Sequence, residues 1–152
     1  MRSFNAEGFR ALIKNAEGVI GRAMALFKKG DVDKNQEERE RVLAIIEALA
    51  PKAGFTALHS AINSLPNKRP DLLLMIEKAI GAVRDLIIFK QSRDAKLIFF
   101  VSEDEAATYS KPLSITRLMN VYDALISAHE YCSKNANVGT VLAYLESKIN
   151  LV

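Results

Sequence analysis

The sequence Leu72-Leu-Leu-Met-Ile-Glu-Lys-Ala-Ile-Gly-Ala-Val-Arg-Asp-Leu-Ile-Ile-Phe89 is the most apolar stretch of the 152-residue chain, and it decides the fold. Its apolar residues recur at steps of three and four, which is the spacing of one face of an α-helix. Pro70 suits the first turn of that helix, which we expect to end near Lys90. The charged residues inside the stretch argue against a membrane span. We therefore expect a buried helix at the centre of the fold. Its most buried residues are predicted to be Ile76, Ile80, Val83 and Ile87.

The rest of the chain also shows helical spacing, and no window alternates between apolar and polar residues as a half-buried strand does. Gly, Pro and capping Ser residues mark the ends of these segments. The run Leu97 to Val101 can be either a short strand or a buried connection. The predicted fold is all-α, a bundle of about six helices preceded by a short helical pair. The other predicted helices cover about 5–14, 19–28, 35–49, 55–65, 103–109, 114–132 and 138–149.

Composition narrows the class of protein. Lys and Arg outnumber Asp and Glu by 21 − 18 = 3, an excess too small and too scattered for a nucleic-acid footprint. A hydrophobic content of 49% supports one packed core. The single cysteine, Cys132, excludes an internal disulfide framework and fits the reducing cytoplasm. The first residues lack the apolar run of a secretory signal. We therefore expect a cytoplasmic protein without a membrane segment.

The sequence was compared with three kinds of functional site, a calcium loop, a zinc site and a phosphate-binding loop, and it contains the full set of residues for none of them. Asp31-Val-Asp33-Lys-Asn35 resembles the opening of a calcium loop, but Gln36 stands where the loop needs Gly and Val42 where it needs Glu. His129 and Cys132 lie one helical turn apart, but a zinc site needs further ligands, and both residues continue an apolar stripe. No Gly-rich phosphate loop ending in Lys and Ser or Thr is present in the sequence. The sequence therefore predicts no catalytic, cofactor-binding or metal site, and no enzyme activity for this chain.

Two segments of the chain are similar to clamp-loader subunits of the AAA+ family. Gly18-Val-Ile-Gly21-Arg22-Ala23-Met24-Ala-Leu26 resembles the pattern that opens the sensor-2 helix of their lid domain. The second segment resembles the end of the delta-prime type of subunit in bacterial DNA polymerase III. It runs from Arg84-Asp85-Leu86 through the stripe of Leu118 to Leu125 and Asn135-Ala-Asn137 to Leu142-Ala-Tyr-Leu145-Glu146. Together the segments bracket nearly the whole chain, and their order and separation carry the resemblance.

The resemblance implies a division of the chain and a function. Residues 1–28 would be the remnant of the lid domain, and residues 29–152 would be the helical collar domain that joins the subunits into a ring. The partners would be subunits of the gamma/tau and delta types, in an assembly that loads the sliding clamp in DNA replication. Contact with DNA would be only indirect.

The position of Gly21 refines what the resemblance implies. Members of the family that hydrolyse ATP carry Arg at this position, so Gly21 implies a non-hydrolysing subunit that binds no ATP. The neighbouring Arg22 is out of register by one residue, which is a rotation of about 100° on a helix.

Purely structural readings of the same residues remain open. Gly18 and Gly21 can allow a tight turn between helices. Asn135 and Asn137 can cap the helices that flank them. The pair Arg84-Asp85 can be solvated on the surface of the long helix.

The helix that Ser114 opens has two apolar lines. The main line is predicted to face the core: Ile115, Leu118, Met119, Tyr122, Leu125, Ile126, His129 and Cys132. The second line has small side chains, which would let a partner helix approach closely, and it continues into the last helix. The predicted interface is Val121, Ala124, Ala128, Tyr131, Val138 and Val141. The alternative function is a helical nucleic-acid-binding module, which would need Lys and Arg gathered on one face.

Overall fold

The fold is an all-α bundle, as the sequence predicts. A computed structural model describes residues 32–92 and 96–151, and within those ranges it contains six α-helices and no strand. The helices predicted at 5–14 and 19–28 lie outside the described residues. The six helices are α1 Val32–Ala48, α2 Gly54–Asn63, α3 Arg69–Gln91, α4 Glu103–Ser110, α5 Ile115–Ser133 and α6 Val138–Leu151.

The long helix α3 forms the centre of the bundle. It packs against α1, α4 and α5, while α6 packs on the other side of α5 and against α2. Because neighbours surround α3, almost its entire circumference is buried. The four residues predicted to be most buried, Ile76, Ile80, Val83 and Ile87, are at most 1% exposed. Their predicted placement is confirmed.

Local sequence signals set most helix ends. The Ser102 hydroxyl accepts from the Glu105 backbone N–H at the start of α4, and the Ser114 hydroxyl accepts from that of Arg117 at the start of α5. Both serines act as N-caps, as their side chains predict. Helix α1 begins at Val32, about three residues before the predicted start near Asn35. Val42, at the twelfth position of the calcium-loop pattern, is a core residue of α1.

The turn between α5 and α6 is built around Asn135. Its φ of 67° is the left-handed conformation that commonly ends helices. The Ala136 N–H donates to the Tyr131 carbonyl at 3.0 Å, and the Asn135 N–H donates to the Cys132 carbonyl at 3.3 Å. The Asn137 side-chain oxygen then accepts from the Thr140 N–H at 3.3 Å. Asn135 therefore ends α5 and Asn137 caps α6, which matches the structural reading of both residues.

Candidate functional site

The predicted interface line lies mostly inside the bundle. Val121, Ala128 and Val141 are at most 1% exposed, and Ala124 is 6% exposed. These four side chains are therefore not accessible to a partner in this structure, and the expectation that some of the predicted line stays accessible rests on the other two residues and on the exposed side of α6. The remaining two residues differ: Tyr131 is 47% exposed and Val138 is half-buried.

The reason is the rotation of α5 about its own axis. This helix packs against both α3 and α6, and two neighbours bury a wider arc than one neighbour would. The second line fills the space between them, so Ile115, Met119 and Ile126 from the predicted core stripe move to the half-buried edge. Leu118, Tyr122, Leu125 and Cys132 of the predicted stripe are buried as expected, so the buried arc is shifted towards the second line and not reversed.

The exposed residues of α6 other than Lys148 are uncharged and lie along one face. Five small or polar residues form this exposed face of α6: Gly139, Thr140, Ala143, Ser147 and Asn150. Tyr144 borders the face on one side and contacts Tyr131 edge-on, with ring centroids 5.2 Å apart. Glu146 borders it on the other side and pairs with His59 of α2 at 2.6 Å. A helix face without charges or long side chains lets a second helix approach closely.

A cleft of about 470 Å³ opens where the C-terminal end of α6 meets the start of α5. Its lining comes from the end of α1, the start of α2, the residues that open α5 and Asn150. Asn150 thus belongs both to the cleft and to the exposed face of α6. The two surfaces are therefore continuous.

Among the described residues that line the cleft, Arg117 is the one that carries a charge. Its Nη1 donates to the Ile149 carbonyl at 2.5 Å and its Nε donates to the Leu49 carbonyl at 3.4 Å. Partial burial lowers the pKa of the Arg117 guanidinium from its usual value. Within residues 32–92 and 96–151 no carboxylate is paired with it. Sequence reasoning missed Arg117, although a cation in the first turn of a helix is unfavourable and could have drawn attention to it.

Asp85 is a fully buried carboxylate that holds the connection after α3. Its Oδ2 accepts from the backbone N–H groups of Ile98, Phe99 and Phe100 at 3.0, 2.7 and 3.0 Å. Arg84 lies beside it, with Nη1 at 3.2 Å from Oδ1. Burial raises the pKa of the Asp85 carboxyl, because the cost of desolvation exceeds the opposing effects of these hydrogen bonds and of Arg84.

Two sequence alternatives are resolved by this arrangement. The pair Arg84-Asp85 is not a solvated surface pair, since Asp85 is 0% exposed. The run Leu97 to Val101 is a connection and not a strand, with Phe100 in the core. Asp85 therefore determines the path of the backbone between α3 and α4.

The other buried ionisable residues join helices to one another. Lys78 of α3 donates to Glu38 of α1, and His129 of α5 lies 2.9 Å from Glu77 of α3. Arg39 of α1 pairs with Glu105 of α4. The Arg39 guanidinium also lies over the ring of Phe99, 4.8 Å from its centroid.

His129 and Cys132 do not share a site. His129 faces Glu77, whereas Cys132 is fully buried, and burial raises the pKa of its thiol against the smaller opposing effect of Arg69. In the described part of the chain, no group of at least three His, Cys, Asp or Glu side chains is placed to hold a metal ion. No helix there is long and apolar enough to cross a membrane. Gly18, Gly21 and Arg22 lie outside the described residues.

Arg69 is a further residue, which the sequence assigns to a solvated surface and whose contacts were not predicted from it. Its Nη1 donates to the carbonyls of Cys132 and Ala136, both at 2.7 Å. It thereby adds a donor to a carbonyl in the last turn of α5 and to one in the turn that follows. Arg69 lies in the first turn of α3, where a cation is unfavourable because the helix dipole is positive at that end.

Comparison of the chain with protein-family models, with curated proteins and with solved structures gave no match.

Proposed function

We propose that this chain is the collar-type oligomerisation domain of a delta-prime clamp-loader subunit of bacterial DNA polymerase III. In this role it would join gamma/tau-type and delta-type subunits and support loading of the sliding clamp in DNA replication. It would contact DNA only indirectly and carry out no catalysis itself. The observation that carries the proposal is the uncharged exposed face of α6, continuous with the cleft and bordered by the Tyr131–Tyr144 pair.

The polar interior also supports a scaffold. Glu38, Lys78, Glu77, His129 and Asp85 each connect two parts of the bundle. Such contacts favour one orientation of the neighbouring helices, because any arrangement that separates the partners leaves a buried charge uncompensated. A rigid arrangement lowers the entropic cost of association with partner subunits.

Part of the basic charge is not available to a nucleic acid, and the exposed lysines of the described residues other than Lys134 are spread over different helices and connections: Lys52, Lys68, Lys90, Lys96, Lys111 and Lys148. Several cations are already engaged by the chain itself: Arg39, Arg41, Lys78 and Lys134 with carboxylates, and Arg69 and Arg117 with backbone carbonyls. A phosphate-binding surface needs cations that are free to displace counterions.

Ala143→Arg tests the proposal. Ala143 lies in the middle of the exposed face of α6, so an arginine there should leave the fold intact and obstruct a partner helix. A specific interface buries about 800 Å² on each partner, and an unpaired charge within it is costly. We expect unchanged circular dichroism and loss of co-purification with co-expressed gamma/tau-type and delta-type subunits.

Ala44→Arg is the matched control. Ala44 is an exposed alanine on α1, a helix that packs against α2 and α3, and its substitution introduces the same charge. This variant should co-purify with the partners as the unmodified chain does. Full retention of the partners by Ala143→Arg, or equal loss with both variants, would contradict the proposal.

A further inference from the structure

The cleft beside Arg117 is lined by both apolar and polar residues. Pro51 and Pro112 supply exposed apolar surface, whereas Leu49 and Leu58 are core residues only 1% and 2% exposed. The volume of about 470 Å³ lies within the range of ligand-binding pockets. Such a surface fits apolar side chains of a ligand. It does not by itself determine which polar group a ligand would carry.

The polar lining residues indicate which charge a ligand of the cleft would carry. Ser114, Thr116, Asn120 and Asn150 contribute hydroxyl and amide groups, and Arg117 contributes the only charge among the lining residues within 32–92 and 96–151. No carboxylate lines the cleft in the part of the chain that the structure describes. The cleft is therefore complementary to a negative charge.

Arg117 retains donors for a ligand. A guanidinium has five N–H donors, and the backbone carbonyls of Ile149 and Leu49 occupy only Nη1 and Nε positions. These two bonds also fix the side chain at the cleft, so it needs little ordering when a ligand arrives. A carboxylate is the protein group that pairs best with such a fixed, planar donor.

We propose that the cleft receives an acidic residue, flanked by apolar side chains, from a peptide segment of the partner that docks on α6. This inference rests on the proposed function, because Asn150 connects the cleft to the exposed face of α6. The carboxylate pairs with Arg117, and the apolar neighbours cover the exposed prolines Pro51 and Pro112.

A peptide titration tests the proposal on the full chain. The probe is an acetylated and amidated peptide of sequence Leu-Asp-Glu-Leu-Leu, and the comparison probe is Leu-Asn-Gln-Leu-Leu with the same caps. Backbone amide signals of residues around the cleft are followed by NMR. We expect the acidic peptide to shift the signals of Ser114, Thr116 and Asn120, and to bind about tenfold more tightly than the neutral one.

Asn120→Asp places a competing carboxylate one helical turn from Arg117. It should weaken binding of the acidic peptide about tenfold or more while circular dichroism stays unchanged. Asn67→Asp is the matched control, because it makes the same change at an exposed turn that precedes Arg69, near the opposite end of α5. Control binding should equal that of the unmodified chain.

The outcomes separate this inference from the proposed function. Absence of shifts at the cleft, equal binding of both peptides, or unchanged binding by Asn120→Asp overturns the cleft proposal. Loss of partners by Ala143→Arg would still support the collar function in that case. Conversely, the acidic peptide can bind at the cleft while Ala143→Arg retains its partners. This result would support the binding chemistry of the cleft and contradict the collar function.

Discussion

The Asp85 carboxylate lies in the interior of the bundle because the backbone of the α3–α4 connection surrounds it with donors. Three consecutive N–H groups, of residues 98–100, would otherwise lack partners in a region where water has little access. A carboxylate can accept from several donors at once, which few neutral side chains do. At this residue the side chain therefore substitutes for secondary structure.

Asp85→Ala should lower the free energy of unfolding by about 2–5 kcal/mol, because it leaves several buried N–H groups unpaired. Chemical denaturation followed by circular dichroism would measure this loss. Asp104→Ala is the control, since Asp104 is an exposed residue in the first turn of α4. It should cost only about 0.3–1 kcal/mol from the helix dipole. Equal losses for both variants would contradict the role assigned to Asp85.

The raised pKa of Asp85 also predicts a pH dependence. The folded chain holds this proton more tightly than the unfolded chain does, so the contribution is fully present below the unfolded pKa. It is lost as the pH rises through the folded pKa. Asp85→Asn keeps an acceptor without the ionisation, so we expect this variant to lack that part of the decrease in unfolding free energy as the pH rises above about 4. Parallel pH profiles for the two proteins would argue against it.

At the scale of single elements, local sequence determines the two ends of α5, whereas packing against other helices determines which of its faces is buried. Ser114 and Asn135 mark its two ends through hydrogen bonds within a few residues, so both ends were predictable. The rotation of α5 depends on where α3 and α6 lie, and the spacing of its own residues does not contain that information. The contact of Asp85 with residues 98–100 also depends on packing, because its partners are 13 to 15 residues away in the sequence.

The cleft shows the same limit. Arg117 reaches Leu49 over 68 residues and Ile149 over 32 residues of sequence. No periodicity in one segment predicts such a meeting. The sequence therefore predicted the helices and the central position of α3. The proposed interaction surface, which consists of the exposed face of α6 and the cleft, could be found only from the packed structure.

Ala124→Arg tests the rotation of α5. Ala124 is 6% exposed, so an arginine there must either bury a charge or push α5 away from its neighbours. We expect a loss of at least about 3 kcal/mol of unfolding free energy, measured by denaturant titration. A folded variant of normal stability would show that the small-residue line is accessible after all. Ala143→Arg serves as the reference, since it adds the same side chain at an exposed site.

At the scale of the whole molecule, the bundle has an interior of fixed contacts around α3 and an open surface at α6. Buried pairs connect α3 to α1 and to α5, and the Arg39–Glu105 pair connects α1 to α4. The exposed face of α6 and the cleft lie outside this set of contacts. Association through α6 would therefore leave the interior unchanged.

The contact of Arg69 with the end of α5 sets a limit on how fast the bundle comes apart. Its bonds to Cys132 and Ala136 close loops of 63 and 67 residues, so they form only after α3 and α5 have met. Such late contacts are weak in the folding transition state and must break before it is reached from the native side. Arg69→Ala should therefore accelerate unfolding in stopped-flow experiments and leave the refolding rate nearly unchanged, with a φ-value near zero. Slower refolding would instead place this contact in the folding nucleus. With a low φ-value, Arg69 prolongs the lifetime of the native state without speeding its formation.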